Sequence, residues 1–262
     1  MRPAAIFALI AALSLPTSGA ATAQRSTKPV PTPRVEPVVP FKVGETLSYD
    51  VSWTSFLVAG SAVVSLKERK PSFNSTAYYI VAEGRPIPLL ERLYSLYYKM
   101  DTLIDSATLL SQRGSLYAEE GRDRRTSITQ FDRAMKRVFF EEDSATTTKL
   151  DYAVPPDAQD GLSALYALRT RNFKVGDRVD VAVADSGSLY RLQLTAGAPE
   201  RLRVPFGEET AWALKGLIAD ADGQLVWDNI AIWISNDARR LPVKMQANLP
   251  VGAFILALRA VQ

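Results

Sequence analysis

"DRVDVAVADSGSLYRLQL", residues 177–194, is the stretch from which the rest of the chain can be read. Val179, Val181 and Val183 alternate with their neighbours on one arm, and Tyr190, Leu192 and Leu194 alternate on the other. A period of two puts each set on a single face of a strand. Asp185, Ser186 and Gly187 turn between the arms, which makes the stretch a β-hairpin signature.

The same period recurs along the chain. In "GETLSYDVSWT" (44–54), Leu47, Tyr49, Val51 and Trp53 share one face, and Thr46, Ser48, Asp50 and Ser52 the other. One wet face predicts an antiparallel sheet. "AGSAVVSLKE" (59–68) reads as the next strand, and its small residues predict close approach of another element. "TAYYIVAEG" (76–84) continues as a third. In "PLLERLYSLYYKM" (88–100) the period changes: Leu89, Leu93, Leu96, Tyr97 and Met100 fit a short amphipathic helix beginning after Pro88, with the aromatic tail also compatible with a strand. "RTSITQF" and "KRVFFEE", joined by "DRAM", form a further hairpin, and "TTTKLDYAV" (146–154) follows.

A second helix opens at Asp160, which suits an N-cap. Leu162, Leu165, Tyr166 and Arg169 then recur at helical spacing. Strand character returns in "ERLRVPFG", "AWALKGLIA", "QLVWDNIAIWIS", "RLPVKMQANL" and "AFILALRAV", with Gly223, Asn236 and Gly252 marking gaps. The sum is about twelve strands and two short helices. The expected fold is all-β dominated: a large, curved antiparallel sheet or partly open β-barrel, with one helix covering its concave face.

Residues 1–23 read as an export leader, with Arg2 before "AAIFALIAALSL" and an A-x-A cleavage site ending at Ala23. The apolar run is too short for a comfortable span, so the mature chain is expected without a transmembrane segment, in the periplasm. With no cysteine at the cleavage point, no N-terminal lipid anchor is expected. Residues 24–40, "QRSTKPVPTPRVEPVVP", read as a proline-rich linker. A single β-rich domain is expected over 41–262, a length ordinary for one all-β domain.

The chain contains neither histidine nor cysteine. That removes Ser-His-Asp and Cys-His catalysis, His-bound zinc, disulfides and iron–sulfur clusters. No cofactor and no metal site is expected. Loss of the leader takes one arginine and leaves a net charge of about +2, too near neutral to suggest nucleic acid.

Three constellations remain. Asp50, Asp101, Asp160 and Asp237 could supply a carboxylate pair for glycan hydrolysis, but their spacing does not separate an acid from a base. Arginines cluster at 122–125, 201–203 and 239–240. Arg125, Arg203 and Arg240 around an apolar hollow would suit an anionic amphiphile, because guanidinium forks grip carboxylate or phosphate. The same residues would equally serve as solvated charges beside neighbouring acids. Leu162, Leu165 and Tyr166 could wall such a hollow from the second helix, or simply belong to the core.

"FKVGETLSYDVSW" with "AG" at 59–60, "DGLSALYALR", "FKVGDR", "VPFG" and "IWISNDARRLPVKM", in that order, resemble the bacterial DUF3108 family of exported envelope proteins. The resemblance implies a β-rich periplasmic domain and no settled activity. The inferred architecture is also similar to half-barrel lipid and lipoprotein carriers of the periplasm.

The leading expectation is a non-enzymatic periplasmic binding or carrier protein for a lipid-like amphiphile. The alternative is a structural or interaction module with an envelope protein partner, and a carboxylate-dependent hydrolase stands behind both. Around "SNDARR" (235–240), Ile230, Ile232 and Ile234 form one strand face and Leu241, Val243 and Met245 the next. Asp237 is expected to pair locally with Arg239 or Arg240, and Pro242 hints at an edge strand.

Overall fold

A computed structural model describes residues 34–53, 57–249 and 252–262. The expected leader (1–23) and residues 24–33 of the expected linker lie outside them. The compact unit runs from Val35 to Gln262. In chain order its elements are β1 (Thr46–Trp53), β2 (Leu57–Ser72), β3 (Ser75–Pro86), α1 (Pro88–Glu91), β4 (Leu96–Asp105), β5 (Ser111–Glu120), β6 (Asp123–Asp132), β7 (Arg137–Asp143) and β8 (Thr147–Ala153). Then come α2 (Gly161–Arg169), β9 (Arg178–Asp185), β10 (Ser188–Val204), β11 (Gly207–Asp220), β12 (Leu225–Ser235), β13 (Pro242–Leu249) and β14 (Gly252–Val261).

All fourteen strands belong to one antiparallel sheet, in the order β8 to β1 followed by β14 to β9. Apart from β8 and β9, strands consecutive in sequence pair with each other, and β1 also pairs with β14, Tyr49 opposite Leu258. The two ends of the sheeted chain therefore meet at its centre. Thr46 and Gln262 exchange backbone hydrogen bonds there, both at 3.0 Å. The free edges are β8 and β9, and α2 lies in the chain between them.

Sheets this wide must curl or close, and here the edges approach through side chains. Phe131, Val138 and Phe140 from β6 and β7 cluster with Ala182 and Ala184 of β9. The Tyr152 hydroxyl on β8 donates to the carbonyl of Ser188. The β9–β10 turn explains how they fit: Ser186 and Gly187 both have positive φ, as a two-residue turn of this hand requires. A Cβ at Gly187 would stand 2.7 Å from Leu150 Cδ1 of β8. Gln159 also pairs with the outer edge of β9, donating to Ala182 O and accepting from Ala184 N at 2.8 Å each. The result is a barrel-like wrap closed by residues 158–160 instead of a β8–β9 ladder.

One face of the sheet lines the interior. Leu47, Tyr49, Leu66 and Ile80 on that face pack with Leu162 and Tyr166 of α2. Val181, Leu192, Leu194, Ile230 and Ile234 pack with Ala164 and Leu168. Asp160 starts α2 as a capping box: its Oδ1 accepts from Leu162 N and Ser163 N, while the Ser163 hydroxyl accepts from Asp160 N.

At its other end α2 carries Arg169, which is fully buried. Its guanidinium donates to both oxygens of buried Glu45, at 2.5 and 2.8 Å, and to the carbonyls of Arg239 and Arg240. It also lies over the rings of Phe41 and Tyr166, 5.3 and 5.0 Å from their centres. Burial alone would make Arg169 release its proton more easily, but Glu45 outweighs it and holds the proton more firmly.

Several expectations need correction. The predicted helix over 88–100 is one turn, α1, with no buried residue. Leu89 and Leu93 are exposed, while Leu96, Tyr97 and Met100 belong to β4. Pairing of β4 along both edges overrides its local helical spacing. "ERLRV" is not a separate strand but the end of β10, beyond a bulge between Ala196 and Pro199. Pro242 does not mark an edge: β13 lies between β12 and β14, and the proline occupies its first position, where its missing donor is harmless. The close approach read from "AGSAVV" is that of the adjacent strand, since a Cβ on Gly60 would sit 2.4 Å from the carbonyl of Arg85 in β3.

Arg169→Met should lower unfolding free energy by roughly 3–5 kcal/mol in urea titration, because Glu45 is left as an uncompensated buried charge. Adding Glu45→Leu should recover part of that loss; a double variant no more stable than Arg169→Met would show that the pair is not what is being broken.

Candidate functional site

An apolar hollow lies between α2 and the interior face of the sheet, with a volume of about 520 Å³. Gly161, Ala164, Leu165 and Leu168 form its wall on α2. Val183, Leu192, Ile218, Ile232, Met245 and Met100 face them from the strands, all on the interior side. Small-molecule sites commonly measure about 300–1,000 Å³ and are apolar with few polar groups. The polar contributors here are Asp185, Ser186 and Tyr190.

The hollow exists because the helix is placed by its two ends. The Asp160 cap fixes the first turn and Arg169 fixes the last, so the middle of α2 is held near the sheet without filling the space under Leu165. Val226 and Trp227, near the start of β12, complete the wall toward one end. At this end lie the β9–β10 and β11–β12 turns, beside the end of β1 and the start of β14. Trp53 stacks on Phe254 there, ring centres 5.9 Å apart, and both Trp53 and Trp227 are exposed.

The expected site residues are not brought together. Leu165 lines the hollow. Leu162 and Tyr166 turn to the other flank of α2, into the main core. Arg125 lies on β6 and pairs with Glu120 at 3.6 Å. Arg203 is exposed on β10. Arg240 donates to Asn172 Oδ1 at 2.8 Å, beside the β12–β13 turn. None of these arginines lines the hollow.

The turn itself follows the local reading. Asp237 bonds Arg239 through both main chain and side chain, and also accepts from the Ser235 hydroxyl. Burial would raise the Asp237 carboxyl, but Arg239 and Ser235 hold it below the ordinary range. Among the other carboxylates proposed, Asp50 pairs with Arg259 at 3.3 Å, Asp101 accepts from Ser115, and Asp160 accepts from Thr102 at 2.6 Å. Among the described residues no group of three His, Cys, Asp or Glu side chains is placed to hold a metal ion.

Residues missed by sequence reasoning are Asp185, Tyr190, Ile218, Trp227 and Met245. Their strands were recognised, but which strand faces α2 is set by the β1–β14 pairing, which no local pattern carries. Arg169 left a legible signal: an arginine on the apolar stripe of a helix needs a partner if it is buried.

A family profile described as "Protein of unknown function (DUF3108)" matches residues 48–259. No curated protein matches the sequence. Among solved structures, the chain is similar to a β-barrel-like protein of domain of unknown function DUF1849 from Brucella abortus, at 11% identity and a TM-score of 0.50, over 84% of this chain and 97% of that one. A protein from Bacteroides fragilis, provisionally described as exported with a YmcC-like fold, gives 9% identity and 0.36 over 87% and 100% of the two chains. One from Parabacteroides distasonis, provisionally described as a lipoprotein, gives 9% and 0.34 over 86% and 97%. Of the three, only the first bears on the fold, and it bears on nothing else.

Arg203→Gln should change stability by less than about 1 kcal/mol, as ordinary surface substitutions do, and Arg240→Gln, which loses the Asn172 bond of a half-buried side chain, by roughly 1–2 kcal/mol. Each should also leave uptake of an apolar fluorescent dye by the hollow unchanged. A several-fold loss of dye binding in either variant would return the arginines to the site.

Proposed function

This chain belongs to the DUF3108 family, whose description names no activity, and from the geometry of its cavity we propose a non-enzymatic carrier or binding protein for a lipid-like amphiphile. The carrying observation is the hollow of about 520 Å³ between α2 and the concave sheet, lined mostly by apolar side chains and ending near exposed Trp227. The leader-like sequence at 1–23 supports action in the periplasm. Among the described residues no helix is long and apolar enough to cross a membrane.

The absence of histidine and cysteine from the sequence supports binding without covalent chemistry. A second reading, an interaction module, is favoured by β8 alone. That strand is a mostly exposed sheet edge, hydrogen-bonded on one side to β7, and such edges accept further strands.

Purification from the native periplasm followed by lipid mass spectrometry should recover a bound amphiphile. Leu165→Lys should abolish that recovery while changing the unfolding midpoint little, because Leu165 is only half-buried. Repeated recovery of a protein partner in place of any amphiphile would favour the interaction module.

A further inference from the structure

We infer that the cavity selects amphiphiles whose head is a compact hydrogen-bond donor, a primary ammonium or a hydroxyl, and rejects carboxylate and phosphate heads. The inference rests on the carrier reading and names its ligand class.

The apolar hollow adjoins a polar recess of about 20 Å³ near the start of α2, and the two share Met100, Gly161 and Asp185. That volume holds roughly one water-sized group, so the recess admits a single small head and not a phosphodiester or a sugar. Its polar side-chain walls include Asp160, Asp185, Ser127 and Thr129. No lysine or arginine lines either space among the described residues.

Two features point to a ligand. Ser127 and Thr129 are only 6% and 7% exposed, and both face the recess from β6. Neither hydroxyl has a hydrogen-bond partner among the described residues, and neither oxygen is among the fully buried unpaired atoms, so both are free to bond whatever enters the recess. The second feature is the sign of the charge. Ionised carboxylates accept hydrogen bonds and cannot donate them. Asp160 already accepts from the Thr102 and Ser111 hydroxyls as well as from the α2 backbone. Asp185 makes only local bonds to Ser186.

Asp185 is exposed at the tip of β9, but partial desolvation of its carboxyl and the charge of Asp160 raise its affinity for a proton. Arg125 opposes this, but it is shared with Glu120. An anionic head would add a like charge beside Asp160 and Asp185, with Arg133 offsetting only part of the charge of Asp160. An ammonium would instead donate to Asp185 and to the serine and threonine oxygens, and a hydroxyl could donate to one and accept from another.

Three chain-matched probes test this, each below its micelle concentration and at neutral pH: dodecylammonium, dodecanol and dodecanoate. Binding is read by isothermal titration and by quenching of tryptophan fluorescence. Dodecylammonium and dodecanol should bind at least roughly tenfold more tightly than dodecanoate. Asp185→Asn should cut the preference for dodecylammonium over dodecanoate by a similar factor, and Ser127→Ala with Thr129→Val should weaken dodecanol several-fold.

Dodecanoate binding as tightly as the other two to the unmodified protein overturns the inference, whatever the variants do. Failure of all three probes to bind removes the carrier reading itself, and the inference with it.

Discussion

The bidentate pair of Arg169 with Glu45 is the contact on which the architecture turns. A fully buried guanidinium is tolerable only because five acceptors or ring faces surround it: Glu45, two carbonyls of the β12–β13 turn, Phe41 and Tyr166. These partners come from the approach to β1, from the β12–β13 turn and from α2 itself. The pair thus joins the helix that bridges the sheet's open side to the strand at the sheet's centre. Such pairs often add little net stability compared with a well-packed apolar substitute. What this one adds is position, since a leucine at 169 could settle at several depths and a fork with four directed bonds cannot.

Sequence patterning made much of this legible, and the misses share one cause. The 177–194 hairpin, the period-two strands and the helix after Asp160 are local: alternation, turn residues and a capping box decide them. The helix expected at 88–100 failed because β3 and β5 claim β4 along its full length, and ladder bonds on both sides outweigh a five-residue apolar spacing. Pro242 misled for the opposite reason: proline is excluded from the middle of a central strand, not from its first residue. The site was harder still. Its walls come from α2, β4 and β9 to β13, and only Leu165 of the expected residues faces the space.

The arginines illustrate the limit of composition. Their clusters suggested a rim for an anion, yet each settles beside a neighbouring acid, amide or solvent. The chain's small positive balance therefore says nothing about the cavity, whose polar corner is acidic. Local charge follows from which strand residues the curl turns inward, and on β5 and β6 the inward set includes Gly114, Leu116, Ser127 and Thr129 as well as Arg125, with Asp160 against Gly114. Hydroxyls and carboxylates thus meet where the helix starts.

The pairing of β1 with β14 carries a consequence for how the molecule must form. Hairpins from β2 to β8 and from β9 to β14 can each zip from nearby residues, but the seam between them joins positions more than two hundred residues apart, Leu47 opposite Val261. Closing so long a loop is slow, and the delay falls on the last step. The Arg169–Glu45 bond spans 124 residues and waits on the same event. Until Val261 is available, two partial sheets with unpaired inner edges coexist in one chain, and β1 and β14 are the strands most exposed to pairing with the wrong neighbour.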